Sequence, residues 1–399
     1  MTTDRVELTI LGAGIAGCAL AHHLARLGVR PIVLYDPATP AAGATGRAAG
    51  VVTEQLWNEW DVAVARESKE EYSALAARWD PTAYTVNGFA RFTRDAVASE
   101  VLESAVRRLR QWGVEVSALA PGELAERIPG GRFDDVRGAI WSAGDAVVTP
   151  SALTEIYAEQ ARTQGVDVRL GTPLTALRRE SGAWELATGG RTVRSDLLVV
   201  AAGAWSKRLL ARLGHAVPLA PYRTQAAVLR PSAPASATFP SAHDLDLDVY
   251  VRPEANGRIL AGDGTELVEV DPDTFRPGGD EPFVAHLAES FAVRFPGWAD
   301  AELVRAWAGV CTSTPDRRPL VGPVDPTTGL FAITGFNGFG VMRAGGAAKR
   351  LATAIAGAPP EPEAYAELAP VLPSRFAGFV RAFAPRPGFT LEGGDAPRF

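Results

Sequence analysis

The chain has 399 residues, a net charge of −6, and 47% apolar and 22% charged residues, which bounds it to a globular protein of two or three domains. Its basic residues are not clustered and no apolar run reaches transmembrane length, so neither nucleic acid nor membrane is an expected partner. Two cysteines, Cys18 and Cys311, fit a reducing compartment and are too few for a cysteine-rich zinc site.

Residues 6–10 predict a buried strand that stops at Gly12. Charges at Asp4, Arg5 and Glu7 leave no room for a signal peptide, so a cytoplasmic protein is expected. Gly12-Ala13-Gly14-Ile15-Ala16-Gly17 is a G-x-G-x-x-G, followed by a helical apolar face over 18–27 and a second strand over 31–35 closed by Asp36. Gly12 serves the tight turn, Gly14 lets backbone approach a pyrophosphate, and Gly17 lets the helix pack close to the strand. The helix N-terminus offers free N–H groups to phosphate. Asp36, 19 positions after Gly17, stands where a ribose-binding acid belongs and disfavours a 2′-phosphate. A dinucleotide other than NADP is the expected ligand.

Residues 39–50 form a small-residue loop, suited to backbone pressed on a flat ligand or to a flexible connection. A helix is predicted over 62–79, another is capped by Ser99 and runs to Trp112, and a short one spans 121–128. A short strand spans 139–141. Pro150 suits the first turn of a helix to about Gln164. Strands are predicted over 166–170, 174–178, 183–187 and 196–203, the last ending in Ala201-Ala202-Gly203, which leaves space for a ligand or another backbone. Shorter strands follow over 224–230, 245–252 and 258–262, then a helix over 283–295 and strands over 302–310 and 330–334. The turn Gly335-Phe336-Asn337-Gly338-Phe339-Gly340 opens a long helix over 342–355, whose N-terminal dipole favours negative charge. Everything after 376 reads as a tail.

The expected fold is therefore α/β. A Rossmann-like dinucleotide domain (1–85, 146–217, 317–376) is interrupted by a mixed-sheet α+β substrate domain (86–145, 218–316), with a C-terminal tail over 377–399. Tyr250 and Arg252 share one strand face; Arg252 belongs either to a pocket or to a surface ion pair. Trp307 reads as core. His243, near Asp244, Asp246 and Asp248, reads as part of a solvated loop, and no metal is expected.

GAGIAG at 12–17, YD at 35–36, GATGRAAGVV at 43–52, VVAAGAWS at 199–206, WAGVCTSTPDRRPLVGP at 307–323 and ITGFNGFGVMRAG at 333–345 are spread over most of residues 5–357. Together they resemble the FAD-dependent amine and amino-acid oxidoreductases of the D-amino acid oxidase family, which includes glycine oxidase, sarcosine oxidase and dimethylglycine dehydrogenase. The resemblance implies FAD, with adenosine near Asp36, Pro37 and Leu174. It puts pyrophosphate near Gly12, Gly14, Ile15, Ala16, Gly17, Ala44 and Thr45, with Gly203 at the neighbouring strand end. It places isoalloxazine near Arg47, Ala49, Gly50 and Val51, and near Phe336, Asn337, Gly338, Phe339, Gly340, Val341 and Met342. The FAD is expected to be non-covalent, because Arg47 and Gly309 replace the histidine and cysteine that carry flavin in some relatives.

The departures fall on the substrate side. Cys311, Gly338 and Met342 stand where relatives carry cations close to the flavin or the substrate carboxylate, and Leu260 falls loosely at an oxygen-activating lysine. Tyr250, Arg252, Cys311, Asn337 and Met342 are the expected pocket residues, with Arg252 as replacement cation. The resemblance implies oxidation of a C–N bond of an amine or amino acid, an unusual or cyclic one, by hydride transfer to flavin, with oxygen or another acceptor regenerating it. A flavin monooxygenase, from a faint G-D motif at 260–264, and a non-catalytic FAD-binding protein are the alternatives. The oligomeric state stays open.

Overall fold

The first strand, Thr3–Leu11, lies inside an eight-stranded sheet, parallel to Arg191–Val200 on one side and to Ile32–Tyr35 on the other. The computed structural model describes residues 3–188, 190–263, 268–357, 362–379 and 383. Asp167–Arg169 extends the parallel set beyond Ile32–Tyr35. The antiparallel strands Ala176–Glu180 and Ala183–Thr188 flank the first half of Arg191–Val200. Its second half pairs with Leu330–Thr334, which also pairs with Leu320–Asp325. Strands far apart in sequence thus meet through Arg191–Val200, whose last three residues, Leu198, Val199 and Val200, are wholly buried.

Eight helices are described: α1 Ile15–Arg26, α2 Glu59–Trp79, α3 Ala96–Gln111, α4 Pro121–Arg127, α5 Pro150–Thr163, α6 Ser206–Arg212, α7 Glu281–Arg294 and α8 Gly340–Ala356. α1, α2, α5 and α8 share one core, built from Leu20, Leu24, Val64, Tyr72, Leu153, Ala347 and Leu351 against Ile10 and Ile333. Tyr35, Trp184, Leu186, Val200 and Leu210 form a second core. The arrangement is α/β with multiple mixed sheets.

A second eight-stranded sheet, also mixed, takes in Phe89–Thr93, Ser117–Ala118, Gly138–Ser142 and five strands between Ala220 and Ser313. Its alternation separates two faces. Ala90, Phe92, Ala242, Val251, Ala261 and Ala227 join Phe283, Leu287 and Phe291 of α7 in a third core. The other face carries the polar and aromatic residues that line the candidate site.

Several elements differ from the sequence reading. α2 starts at Glu59, because Asn58 caps it by accepting from the Asp61 N–H at 2.9 Å. α3 is capped by Asp95, whose carboxylate accepts from the Ala98 N–H at 2.8 Å; Ser99 is buried inside the helix. The single strand expected over 245–252 is two, Ser241–Asp244 and Val249–Glu254. Asp244 Oδ1 accepts from the N–H groups of Asp246 and Leu247, and Asp248 adopts φ +50°, which turns the chain between them. His243 accordingly lies on a buried strand rather than in a solvated loop. α8 begins two residues early, at Gly340. The 3₁₀ helix Pro362–Val371 has no counterpart in the sequence reading. Most of the expected tail, 380–382 and 384–399, lies outside the described residues.

Candidate functional site

Three chain segments converge between the two large sheets: the glycine turn with its following loop, the turn before α8, and the polar face of the second sheet. At the first, Gly12 adopts φ +116°, and a side chain there would overlap the Ala201 carbonyl. A side chain on Gly17 would overlap the Gly12 carbonyl. These two glycines are therefore required by packing. Gly14 is different: an added Cβ would meet only the Thr45 hydroxyl, at 3.3 Å. That hydroxyl also accepts from the Ile15 N–H at 3.2 Å. α1 has no side-chain cap at Gly14 and no acid in its first turn, so the turn Gly14-Ile15-Ala16, with the Thr45 hydroxyl beside it, forms a cradle of N–H and hydroxyl donors. The cradle fits a diphosphate.

The Asp36 carboxylate accepts from the Ala13 N–H at 2.7 Å and from the Ala38 N–H at 2.8 Å, bracing the glycine turn. Pro37 is exposed beside it, and Leu174 is half-buried at the end of a segment tied back to Asp36 through Thr172 N–H. Ala44 and Thr45 open the short helix Thr45–Arg47 opposite the N-terminus of α1. Gly203 lies just past Val200 with φ +49°, its carbonyl accepting from the Thr334 hydroxyl at 3.1 Å.

Arg47 donates to the Ala42 carbonyl and, at 2.9 Å, to that of Gly43. A Cβ on Gly309 would lie 3.2 Å from Arg47 Cβ, so the two positions at which relatives attach flavin are in contact here and hold neither nucleophile. Ala49 and Val51 are half-buried and Gly50 is buried against Val148. The loop is tied to the second sheet: Trp307 Nε1 donates to the Arg47 carbonyl at 3.0 Å and Arg252 Nε to that of Ala49 at 2.5 Å. Trp307 is therefore a half-buried bridge and not a core residue.

In the sheet, Arg91, His243, Tyr250, Gly262, Ala226 and Trp307 are paired in one row across six strands. Two residues along the strands lie Arg252 on one side of this row and Gly309 on the other, and the pair Tyr222–Cys311 lies four residues along on the Gly309 side. Tyr250 fills the space a Gly262 side chain would take. Arg252 does reach the loop, but its guanidinium is engaged by the Ala49 and Pro253 carbonyls and by Glu254 at 2.9 Å. Arg91 and Tyr222 had no mark in the sequence, and His243 reads there as part of a loop; only strand register brings the three to this face.

The Tyr222 hydroxyl and the Cys311 thiol hydrogen-bond each other, and a Cβ on Gly338 would be 3.1 Å from that hydroxyl. Burial pushes the Cys311 thiol up to about 11 and the phenols of Tyr222 and Tyr250 well above their usual value. All three stay protonated at neutral pH.

The turn before α8 is held by hydrogen bonds at Asn337. Asn337, with φ +53°, is buried; its amide donates to the Gly335 carbonyl at 2.8 Å and accepts from the Thr314 N–H at 3.0 Å, while its own N–H reaches Thr312. Gly338 is exposed, and Phe336, Phe339 and Gly340 are half-buried. Phe339 meets Trp57 edge-on at 5.1 Å. Val341 and Met342 are buried in the core under α8. Arg343 donates to the Phe336 and Phe339 carbonyls and is paired with Asp61 at 2.6 Å.

Asp263 ends the strand Arg258–Asp263 inside the second sheet, paired with Gln225 and Val249. The G-D motif of the monooxygenase reading thus falls on a strand of the second sheet, and the residues after it, 264–267, lie outside those described. Among the described residues, no helix is long and apolar enough to cross a membrane.

The model of the FAD dependent oxidoreductase family, DAO, matches residues 7–354. Mitochondrial dimethylglycine dehydrogenase of Mus musculus is 27% identical over 382 residues, which cover 90% of this chain and 43% of that protein. Glycine oxidase of Geobacillus kaustophilus is 27% identical over 350 residues, 85% of this chain and 90% of that one. The crystal structure of L-proline dehydrogenase from P. horikoshii superposes with a TM-score of 0.85 at 22% identity, covering 95% of this chain and all of that one. The chain thus spans less than half the length of the dimethylglycine dehydrogenases it matches.

Proposed function

The chain belongs to the FAD dependent oxidoreductase family, and from that premise we propose that it oxidises a C–N bond of an amine or amino acid to the imine. Bound FAD supplies the acceptor for the hydride that leaves the carbon beside nitrogen. The observation that carries the reading is the convergence of the loop at 47–51 and the turn at 336–340 on one tyrosine-rich sheet face, through the ties from Trp307, Arg252 and Asn337.

The residues then divide the work. N–H groups of Ile15 and Ala16 hold the diphosphate with Thr45, and Asp36 with Leu174 and Pro37 frames the adenosine end. The uncapped N-terminus of α8 and the N–H groups of the Gly338–Gly340 turn favour negative charge on the ring beside them. Segments 1–85, 146–217 and 317–376 make the cofactor unit; 86–145 and 218–316 make the substrate unit. Tyr250, Tyr222 and Cys311 face the amine and orient it through hydrogen bonds, and Arg252 holds the Ala49 carbonyl, with its charge balanced by Glu254. The two unpaired thiols suit a reducing compartment, the cytoplasm.

An anaerobic panel of amines and amino acids tests the reading: at least one class should bleach the flavin. A protein whose flavin stays oxidised across the panel would be a binding protein. Repeating the active substrate under air separates oxygen from another acceptor, and comparing it with its decarboxylated analogue shows whether a carboxylate is recognised.

Neither phenol nor the thiol can accept a proton near neutrality, so the substrate amine must arrive neutral and no side-chain base is needed. The rate constant for flavin reduction over Kd is expected to rise with pH to a plateau, with its break at the pKa of the substrate amine. Two substrates of different amine pKa should give two different breaks. A break common to both would mean that a protein group accepts the proton.

Acid precipitation is expected to release the flavin into the supernatant, since Arg47 and Gly309 offer no attachment atom and Cys311 is held as a thiol. Flavin that pellets with the protein would overturn the non-covalent assignment.

A further inference from the structure

On the side of α1 away from the glycine turn, a second polar cluster is buried among α1, α2 and α5. His22 and His23 are 3% and 8% exposed. One nitrogen of each and a carboxylate oxygen of Glu71 lie within 4.8 Å of one another, the one such group among the described residues. His23 Nε2 is 3.2 Å from Glu71 Oε2. His22 Nε2 and Gln164 Oε1 are buried without a hydrogen-bond partner, and the buried Tyr157 hydroxyl lies beside Glu71. A buried polar atom left unpartnered signals a missing water or ion.

We propose that His22, His23 and Glu71 form a zinc site, independent of the flavin site. Two imidazoles and one carboxylate are a donor set that Zn²⁺ takes, with a fourth position left for water. Bonds of about 2.0–2.1 Å require donor separations of about 3.4 Å, a short closure from the present spacing by side-chain torsions. Gln164 Nε2 lies 3.2 Å from His22 Nδ1. Turning that amide over lets Gln164 Oε1 accept from His22 Nδ1–H and leaves His22 Nε2 free for the metal, the outer-shell arrangement common to metal-bound histidines. Such a site joins the helix carrying the glycine turn to α2 and α5.

The test uses tag-free, flavin-loaded protein, stripped with chelator and dialysed against ZnCl2. Metal analysis should find about one zinc per chain, and zinc-edge X-ray absorption should show only nitrogen and oxygen ligands. Added ZnCl2 should raise the unfolding temperature. His22→Gln and Glu71→Gln should each weaken zinc binding by at least about tenfold while flavin content stays unchanged. Failure of the wild-type chain to take up zinc would mean that the cavity holds water only, and overturns the proposal whatever the variants do. Sulfur ligands, at about 2.3 Å, would assign the metal to a cysteine and overturn it equally, as would zinc retained in full by the His22→Gln/His23→Gln chain.

Discussion

Replacing Asp61 by alanine is expected to destabilise the folded chain by about 3–5 kcal/mol, the cost of leaving one member of a buried ion pair without its partner. Asp61 and Arg343 are each 1% exposed and meet at 2.6 Å. The same carboxylate accepts from the Asn58 amide at 2.7 Å, so it also steadies the cap of α2. Arg343 would remain buried, still bonded to the Phe336 and Phe339 carbonyls but with no counter-charge. The turn before α8 should loosen with it, and flavin affinity should fall alongside stability. Denaturant unfolding of the flavin-free protein measures the first effect without the second. The Asp61→Ala/Arg343→Met chain should regain part of the loss, because the orphaned charge goes with the arginine. A loss below about 1 kcal/mol in the single variant would show that the pair is not the strut it is taken to be.

What could be read from the sequence was what is local. The glycine turn, its helix and Asp36 lie within one short stretch, and strand, turn and helix each leave a periodic mark there. The Asp61–Arg343 pair joins residues 282 positions apart, and nothing in either neighbourhood signals the other. Where local chemistry competed with pattern, pattern misled. Leu245 and Leu247 look like strand residues, yet the Asp244 carboxylate folds this stretch into a turn by taking the backbone donors of Asp246 and Leu247. Ser99 looks like a cap because apolar periodicity starts beside it, whereas Asp95 performs that role one turn earlier.

The site shows the same limit. The proposed cofactor side rests on backbone and glycines set by short motifs, whereas the proposed substrate side is brought together by register. Arg91, His243 and Tyr250 meet only because three strands, Phe89–Thr93, Ser241–Asp244 and Val249–Glu254, pair in one alignment. A one-residue slip would turn the whole row to the α7 side. Arg252 was marked by its position beside Tyr250, but that position could not tell that Glu254, on the same strand and face, would balance its charge. His22, His23 and Glu71 likewise assemble from two helices whose packing the sequence does not state.

The largest effect on cofactor content is expected from Gly14→Val. Gly14 has φ −72° and ψ 174°, extended backbone that valine adopts without strain. An added Cβ would press only on the Thr45 hydroxyl, at 3.3 Å, a side-chain atom that has to give by no more than a few tenths of an ångström. Folding should therefore be unharmed, and the flavin-free variant should unfold within about 1 kcal/mol of the flavin-free parent. In the proposed placement a diphosphate lies across this space, and two methyl groups would stand between the phosphate oxygens and the N–H groups of Ile15 and Ala16. Losing those charge-assisted hydrogen bonds should cost about 3–4 kcal/mol, a fall in flavin affinity of roughly two to three powers of ten. Gly17→Val makes the contrast, because its side chain would strike the Gly12 carbonyl and should damage the fold whether or not flavin is present. Colourless, cooperatively folding Gly14→Val protein is the expected result. Normal flavin content in that variant would mean that the diphosphate does not cross Gly14, and the cofactor site would have to be moved.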